Sequence, residues 1–476
     1  MRLRSFRLVP ALAAVMLLVV PALAAAQDAT DQDIAINTLL VFLGAVLVLF
    51  MQAGFAMLEV GLSRMKNAGA VMAKIIINLS VTFLVFWAVG FSFAFGDGSG
   101  FVGSSGWFLD VSNPAADFSS LAGYAANFEV MFFFQATFAA VSLAIVFGTM
   151  LDRTKFAAYI IFGIVYIGLI YPTVAHWTWG GGWLFEDGFL DFAGSSIVHL
   201  QGALAALAGT LILGPRIGKF RDGKASPIPG HSMPLMVLGV IILWVGWMGF
   251  NPASFLSAIG ANFADVAVNT NLAAAAGVVG ATVGSLFMFK TLDVSQMGNG
   301  AIAGLVAITA PCAFVDPWAA VVIGLIGGAI VPPLVVAIDK MKVDDPVGAL
   351  PAHGVAGIWG TLAVGLFCTA ERTGAREGLL LGGGGEQLWV QFYGIAATVG
   401  FTLVACLIVF AAIKYTIGLR VSEEHELSGL DISEHGMFGY PERFIDVQGA
   451  ESDSGSHPAA PAPAGATTAT EPATAS

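Results

Sequence analysis

The stretch WGGGWLFEDGFLDFAGSSIVH, residues 179–199, is central to this chain because an acid and a histidine mark the start of an apolar segment. Asp191 lies just before that segment, and His199 lies roughly two helical turns into it. An ionisable side chain at such a depth in a membrane helix is costly, and such residues commonly mark a functional site. The stretch therefore predicts a membrane helix with a polar residue inside it.

The same spacing of acid, glycine and histidine occurs a second time downstream. The pattern D-x2-G-x4-H begins at Asp191 and again at Asp345, so that it ends at His199 in one copy and at His353 in the other. Equal offsets in two apolar segments indicate one site that is built from two related halves.

The composition is typical of a membrane protein. Of the 476 residues, 57% are hydrophobic and 11% are charged, whereas a soluble domain has about 25% charged residues. The 58 glycines also fit, because glycine is common in membrane helices and lets them pack closely. Much of the acidic excess behind the net charge of −12 lies in outward loops and the C-terminal tail. The sequence therefore predicts no nucleic-acid partner.

Eleven apolar segments are long enough to cross a bilayer, which requires about 20 residues each. The segments are about 36–62, 70–95, 128–150, 156–176, 195–213, 233–256, 270–290, 298–315, 318–338, 347–369 and 389–416. The bounds of 298–315 are the hardest to place, because Pro311 and Pro317 interrupt its pattern. The sequence predicts an all-α integral membrane protein with eleven transmembrane helices.

Basic residues collect in alternate loops, as is typical of loops on the cytoplasmic side. These residues are Arg64, Lys66, Arg153, Lys155, Arg216, Lys219, Arg221, Lys224, Lys290, Lys340 and Lys342. Arg372 and Arg376 are exceptions, since their loop is predicted to lie outside. Arg420 and Arg443 follow the last segment. The predicted mature N-terminus is therefore outside, and the predicted C-terminus is in the cytoplasm.

The two D-x2-G-x4-H copies are predicted to face opposite sides of the membrane, because an odd number of helices, five, separates them. Related halves of opposite orientation are typical of transporters, whose site lies near the midplane where the halves meet. The sequence thus predicts a 5+5 inverted repeat.

The two ends of the chain differ from the apolar middle. Residues 1–26 have a basic start, an apolar run and small residues before Gln27, which predicts a cleaved signal peptide; an uncleaved extra span is the alternative. The transport domain would occupy 27–417, and 418–447 would form an ordered cytoplasmic segment. Residues 448–476 are rich in Ala, Pro, Thr and Ser, a composition that predicts disorder.

His199 and His353 have two interpretations. They could be satisfied core histidines that join helices, or they could form a shared polar point in a membrane pathway; the duplicated spacing favours the pathway. Imidazole donates from one nitrogen and accepts at the other, and it titrates near neutral pH. Two such rings in contact could pass a proton or line a narrow pore for a small polar molecule.

The acids before the two helices also have two interpretations. Asp191 could bind substrate or cap its helix, and we favour the cap because a carboxylate there accepts from free backbone amides. Asp345 has the same cap interpretation at its own helix start. We expect its neighbour Asp344 to be exposed to solvent.

Aromatic residues cluster near the outer ends of several segments. Trp179 precedes a triple-glycine turn, Phe138 lies within MFFFQATFAA, and Phe250 is followed four residues later by Ser254. Membrane interfaces explain most such tryptophans. Together, however, ring faces and a hydroxyl acceptor are the parts of a cation site.

Metals and cofactors are not predicted. Cys312, Cys368 and Cys406 lack metal-ligand spacing and are expected to be small buried side chains. Two histidines without a third ligand rarely bind zinc, and the sequence contains no nucleotide-binding loop.

In these residues, the chain resembles the ammonium transporter (Amt/Mep/Rh) family, specifically its bacterial Amt type. The resemblance covers about Asp33 to Phe444. It rests on the segments FMQAGFAMLEVGLSRMKN, FFFQATFAA, WTWGGGWLFEDGFLDFAGSSIVHLQGALAALAG, WVGWMGFNPAS, DDPVGALPAHGVAGIWG and GLDISEHG. It implies a homotrimer with a separate pore through each subunit of eleven helices.

The resemblance also implies roles for individual residues at the outer mouth. Trp179, Phe138 and Ser254 match the family's ammonium-recruitment site. Phe138 and Phe250 match its stacked phenylalanine gate, and Gln135 matches a position near that gate.

Inside the pore, His199 and His353 match the paired histidines, and Asp191 matches the acid associated with ammonium binding or deprotonation. Pro252 and the extension after Gln448 depart from the family pattern, and neither touches the expected pore.

The resemblance implies that NH4+ is recruited and deprotonated and that NH3 enters the cytoplasm across a bacterial inner membrane. It also implies docking of a PII-type signal protein on the cytoplasmic loops and the GLDISEHG segment. An ammonium sensor and a conduit for another neutral molecule such as CO2 are the alternatives. An enzyme is disfavoured for lack of nucleophile, metal or cofactor motifs.

Overall fold

Helices make up nearly all of the regular structure in the computed structural model, which describes residues 30–441. Ten helices in this part of the chain are long and apolar enough to cross a membrane. An eleventh, of 16 residues, occupies the position predicted for the eighth span. The predicted signal segment 1–26 and the tail 448–476 lie outside the described residues.

The eleven helices match the predicted spans in order and number. They are α1 (Asp31–Leu62), α2 (Met65–Phe95), α3 (Phe128–Gly148), α4 (Phe156–Glu186), α5 (Ser195–Leu213), α6 (Met233–Phe255), α7 (Phe263–Phe289), α8 (Val294–Thr309), α9 (Pro317–Lys340), α10 (Leu350–Phe367) and α11 (Glu386–Thr416). Two short helices follow, α12 (Glu423–Ser428) and α13 (Leu430–His435). Strands β1 (Phe220–Arg221) and β2 (Lys224–Ala225) form a small hairpin in the loop between α5 and α6.

Helix α8 differs most in its bounds from the sequence prediction of 298–315. It begins four residues earlier, because the Asp293 carboxylate accepts hydrogen bonds from the backbone at Ser295 and Gln296. It ends at Thr309, since Pro311 has no N–H with which to continue the hydrogen-bond ladder. Pro317 then occupies the first turn of α9, where its missing N–H costs nothing.

Helices α3 and α5 occupy the interior of the bundle. In the most apolar part of each, 89% and 83% of the residues are buried, whereas the corresponding share in α11 is 28%. A peripheral helix with an exposed apolar surface is what a lipid environment favours. The residues of α3 and α5 therefore face other helices rather than lipid.

Helices α7, α8 and α9 pack through glycine. A Cβ at Gly277 would lie 2.3 Å from the Gly300 carbonyl oxygen, and one at Gly328 would lie 1.9 Å from the Gly277 carbonyl oxygen. Gly304, four residues after Gly300, also meets Gly277. Small residues at a four-residue spacing let membrane helices approach at backbone distance. The high glycine content thus has a direct packing role.

Four loops converge in an ionic cluster. The distribution of basic residues predicts that all four lie on the same side of the membrane. Arg64 lies between α1 and α2, Asp152 between α3 and α4, Arg216 between α5 and α6, and Asp344 between α9 and α10. Asp152 accepts from Arg64 at 3.1 Å and from Arg216 at 3.3 Å. Arg216 also bonds Asp344 at 2.9 Å. This contact between distant loops supports the alternation of the predicted spans.

The prediction that Asp344 is exposed to solvent is wrong. Its side chain is buried, and it accepts hydrogen bonds from the Arg216 guanidinium at 2.9 and 3.0 Å. Burial alone would raise the pKa of Asp344, but hydrogen bonds from Arg216 and the nearby charge of Arg153 hold it below its usual range. A buried carboxylate requires such partners, and residues far away in the sequence supply them.

The two arginines that depart from the positive-inside pattern lie on the opposite side, where each has local partners. Arg372 bonds Asp316 at 3.0 Å and also pairs with Asp265. Arg376 donates to the Gly188 carbonyl oxygen at 2.9 Å. Their charges therefore serve to join loops on this side of the bundle.

Helices α5 and α10 begin with the same local structure. Each is preceded by a glycine with positive φ, +109° at Gly194 and +74° at Gly348, and each starts with a wide π-helical turn. An acid caps each turn, and a histidine lies inside it. Because α5 and α10 are five helices apart, they run in opposite directions. The described residues thus form an eleven-helix membrane bundle with a 5+5 inverted repeat.

Candidate functional site

Asp191 caps the start of α5 with both of its carboxylate oxygens. Oδ1 accepts from the backbone N–H groups of Gly194 and Ser195 at 2.8 and 2.9 Å, and Oδ2 accepts from Ser196 and Ile197 at 2.7 and 3.1 Å. Burial raises the pKa of Asp191 to about 6, against the opposing effect of these four donors. These four bonds satisfy the backbone N–H groups at the start of α5, which have no acceptor in a preceding turn of the helix.

Asp345 has the same geometry at the start of α10. Its Oδ1 accepts from Gly348 at 2.9 Å and from Ala349 at 3.1 Å, and its Oδ2 accepts from Leu350 at 2.8 Å. The cap interpretation of the two acids therefore agrees with their contacts. Each cap fixes the first turn of its helix and hence the position of the histidine in that turn.

His199 and His353 meet where α5 and α10 cross. Their Nδ1 atoms are 3.2 Å apart, and their ring planes lie within 21° of each other. One Nδ1 must donate and the other accept, so in the neutral pair one Nε2 is an acceptor and the other Nε2 carries a hydrogen. The His199 Nε2 is buried with no hydrogen-bond partner among the described residues. Two polar positions of opposite hydrogen-bonding character thus lie within an apolar interior.

Phe138 and Phe250 stack against each other next to the histidines. Their ring centroids are 3.9 Å apart, at an angle of 19°, and both side chains are buried. Phe250 is also 5.5 Å from the ring of His199. The stacked pair therefore closes one approach to the imidazoles.

Trp179 lies on the far side of this phenylalanine pair from the histidines. Its ring centroid is 6.2 Å from that of Phe138 in an edge-to-face arrangement, and its indole N–H donates to the Asp191 carbonyl oxygen at 2.8 Å. The side chain is partly exposed, in contrast to the rings behind it. Asp191 thus positions the tryptophan with its backbone while its carboxylate caps α5.

Ser254 and Gln135 have less direct links to this series of rings. Ser254 lies one turn beyond Phe250, and its hydroxyl donates to the Phe250 carbonyl oxygen at 2.8 Å, which leaves the hydroxyl oxygen to act as an acceptor. Gln135 lies one turn before Phe138 and is buried, and its Oε1 has no hydrogen-bond partner among the described residues. Both side chains thus offer acceptor oxygens close to the gate residues.

A small cavity of about 20 Å³ lies next to His353. Its lining is mostly apolar, with Phe55, Leu58 and Leu243 among its residues, and the polar side chains on it are His353, Asn299 and Glu59. We call this space the inner vestibule. Trp179, the phenylalanine pair, the two histidines and the inner vestibule form a continuous series.

The structure brings the predicted rings together and adds residues that the sequence analysis did not single out. Trp247 stacks on His199 with a centroid distance of 5.2 Å, and its N–H donates to Thr309. It precedes Phe250 by three residues, so helical spacing places it on the same face. Glu59 and Lys74 form an ion pair between α1 and α2. Their presence inside apolar segments is a sequence signal for functional residues, because charges within membrane helices are costly.

The titratable side chains in the described part of the chain show no group of three that could hold a metal ion. Cys312, Cys368 and Cys406 are all buried free thiols, as expected for small side chains within a helical bundle.

Comparisons with known proteins agree with this architecture. Residues 39–440 match the Ammonium Transporter Family. Ammonium transporter Amt2 of Archaeoglobus fulgidus is 43% identical over 83% of this chain and 86% of its own, and an ammonium transporter of Bacillus subtilis is 35% identical over 85% and 98%.

Two solved structures are similar to the chain over most of its length. One, named Sensor Amt Protein, has a TM-score of 0.78 at 35% identity and covers 85% of this chain and 99% of its own. The crystal structure of Mep2 from Candida albicans has a TM-score of 0.76 at 28% identity over 82% and 87%. This chain, a multi-pass membrane protein, belongs to the ammonium transporter family.

Proposed function

We propose that the series of rings is a conduction pathway in which NH4+ binds at Trp179, loses its proton and passes as NH3 along His199 and His353. The observation that carries this proposal is the 3.2 Å contact between the two imidazoles directly behind the stacked phenylalanine pair. A proton that stays outside would make transport electroneutral, and a proton relayed through the imidazoles would make it electrogenic.

The entrance combines a cation site with a closed gate. Trp179 and Phe138 present aromatic surface to an ammonium ion, which a ring attracts by about 1–2 kcal/mol when the contact is desolvated. The Ser254 oxygen would accept a hydrogen bond from the same ion. Asp191 acts mainly through the cap of α5, which holds Trp179 and His199 in register. Passage requires Phe138 and Phe250 to separate, with the Gln135 oxygen beside them as an acceptor.

Selectivity follows from the chemistry of the ion. An unpaired ion in a dry apolar passage has a large desolvation cost, so K+ and Na+ are excluded without a dedicated filter. NH4+ escapes this cost because it can release a proton and continue as a neutral molecule. The Nε2 atoms of the two imidazoles then replace the hydrogen bonds that ammonia made to water.

Reconstitution tests the proposed function. Purified protein in liposomes on a solid-supported membrane should respond to ammonium but not to an equal concentration of K+, and the liposomes should take up methylammonium. Protein-free liposomes and liposomes with an unrelated membrane protein are the controls. Responses no larger than those of the controls would contradict transport.

Trp179→Leu is expected to weaken apparent ammonium affinity by roughly 5- to 30-fold, because a desolvated cation–π contact is lost. The maximal rate should change less, since the gate and the histidines remain. Concentration dependence of methylammonium uptake measures both. Trp389→Leu removes a tryptophan that is 62% exposed on α11 and serves as the control. Equal affinity in the two variants would remove Trp179 from the recruitment site.

The setting of the protein is also part of the proposal. We infer a homotrimer in a bacterial inner membrane, with a pore through each subunit, a transport domain over 27–417 and cleavage of residues 1–26. The ionic cluster of Arg64, Asp152 and Arg216 would face the cytoplasm, in keeping with the excess of basic residues there. The mature N-terminus would then be outside and the C-terminus inside. Transport is preferred to sensing or catalysis because similar proteins are named transporters.

The segment 418–447 is proposed as a regulatory dock for a PII-type protein. Its described part contacts the start of α2 and the loop between α5 and α6: Asp431 accepts from the Ala70 N–H at 2.8 Å, and Glu426 accepts from the Ile217 N–H at 2.7 Å. Leu430 donates to the Asn67 side chain at 2.8 Å. A protein bound here could therefore shift the loops at this end of the pathway.

Co-purification measures this partnership. The full chain should retain PII, and a variant without 418–447 should lose at least most of it. Removal of 448–476 alone is the matched control and should leave retention unchanged. Equal retention by all three proteins would discard the dock.

A further inference from the structure

A buried ion pair joins α1 and α2 close to the pathway. The Glu59 carboxylate Oε2 bonds the Lys74 ammonium, and the two side chains are 2% and 9% exposed. Desolvation makes such a pair costly, and apolar residues of similar volume often stabilise a protein as well or better. A function for the charges is therefore worth seeking.

Glu59 contacts the inner vestibule, on the far side of the histidines from the phenylalanine gate. It lines this space together with His353 and Asn299. Its second oxygen, Oε1, faces Gly148, where a Cβ would lie 3.5 Å away, and Gly148 is itself part of the vestibule wall. One carboxylate oxygen thus binds lysine while the other is directed along the vestibule.

Lys74 lies on the opposite side of the pair. It lines a separate cavity of about 40 Å³ under α13, together with Tyr159, Glu434 and His435. The ion pair therefore forms part of a wall between two spaces, with its negative end toward the vestibule and its positive end away from it. Glu59 is also the charged residue among those that line the vestibule, so the negative end of the ion pair faces this space.

We propose that Glu59 is an inner ammonium-binding residue, which stabilises NH4+ in the vestibule on the exit side of the two histidines. Lys74 holds the carboxylate in position. The NH3 that passes the histidines takes up a proton from the aqueous phase at this end of the pathway, or receives the proton that the imidazoles relay, and the resulting NH4+ exchanges with that aqueous phase. This inference rests on the proposed function, because it assigns the second end of the same route.

The direction of the ion pair separates this role from a merely structural one. The exchange Glu59→Lys/Lys74→Glu keeps an ion pair between α1 and α2 but turns its positive end toward the vestibule. A structural role predicts recovery of wild-type transport in the exchanged protein. The proposed role predicts a loss of turnover by roughly tenfold or more, since the sign of a unit charge close to the cation is reversed.

The measurement is ammonium-evoked current and methylammonium uptake in liposomes, normalised to monodisperse protein. Turnover should fall while apparent affinity for external ammonium stays within about twofold, because the Trp179 site is unchanged. The double variant Glu59→Gln/Lys74→Met, which has no charge at either position, should also lose turnover. If the exchanged protein does not fold, this neutral variant tests the proposed role of Glu59. Lys219→Met/Asp339→Asn removes a different ion pair of 2.8 Å and is the matched control.

Wild-type turnover in either Glu59/Lys74 double variant would overturn the inner site. That result would leave the proposed function intact as long as wild-type protein conducts ammonium and His353→Ala impairs it. A wild-type protein that moves no ammonium would instead contradict the proposed function itself.

Discussion

The His353→Ala protein is expected to conduct ammonium roughly 5- to 150-fold more slowly than wild type, because a buried hydrogen bond left unmade costs about 1–3 kcal/mol. Ammonia that has passed the phenylalanine gate would meet one hydrogen-bonding imidazole instead of two. The substitution also removes the partner of the His199 Nδ1, at 3.2 Å in the structure, and widens the apolar passage. Selectivity against K+ should change together with the rate, since a wider space admits water.

Currents evoked by ammonium and by K+ in the same liposomes measure both effects. His231→Ala is the matched control, because His231 bonds the Ser63 carbonyl oxygen in the loop before α6, away from the rings. Unaltered ammonium flux together with unaltered K+ exclusion in His353→Ala would show that the imidazole pair does not form the pathway.

Asp191→Asn is expected to destabilise the protein by roughly 2–6 kcal/mol, because two buried N–H donors lose their acceptor. Both carboxylate oxygens accept hydrogen bonds in the native structure, two each. An asparagine amide supplies a single acceptor oxygen, and its NH2 group would face two backbone N–H groups. The first turn of α5 should loosen, and with it the positions of His199 and of Trp179, whose N–H bonds the Asp191 carbonyl oxygen. Thermal unfolding in detergent and the transport rate should both decline.

Asp345→Asn offers a control within the same fold, since Asp345 makes a matching set of backbone hydrogen bonds at α10. Similar losses of stability in the two variants are expected from caps. A loss of ammonium affinity in Asp191→Asn at wild-type stability would show instead that Asp191 binds the substrate directly and would contradict the cap role.

Much of the local structure could be predicted because its causes are local. An acid, a glycine and a histidine at fixed offsets describe a capped turn, and both copies have that structure at Asp191 and Asp345. The span count follows from apolar length, and the alternation of basic loops agrees with the cluster around Arg216. Helix α8 was misplaced by several residues, since a side-chain cap at Asp293 moved its start and Pro311 ended it early.

The errors and omissions concern residues whose partners are distant in the sequence. Asp344 was expected in solvent, yet Arg216, more than a hundred residues earlier, binds it in the interior. Glu59 and Lys74 are 15 residues apart on two different helices, and only the packing of α1 against α2 shows that they pair. Side-chain composition alone does not indicate which cavity each end of that pair would face.

The amino-acid order by itself determines eleven apolar helices, the duplicated capped turns and their opposite orientation, because hydrophobic length, caps and helix direction depend on neighbouring residues. Tertiary structure alone decides that His199 and His353 meet at 3.2 Å, that Phe138 stacks on Phe250, and that a vestibule lies beside His353. Those distances depend on how closely five-helix halves approach each other, and that approach is set by small residues and ion pairs across the whole bundle.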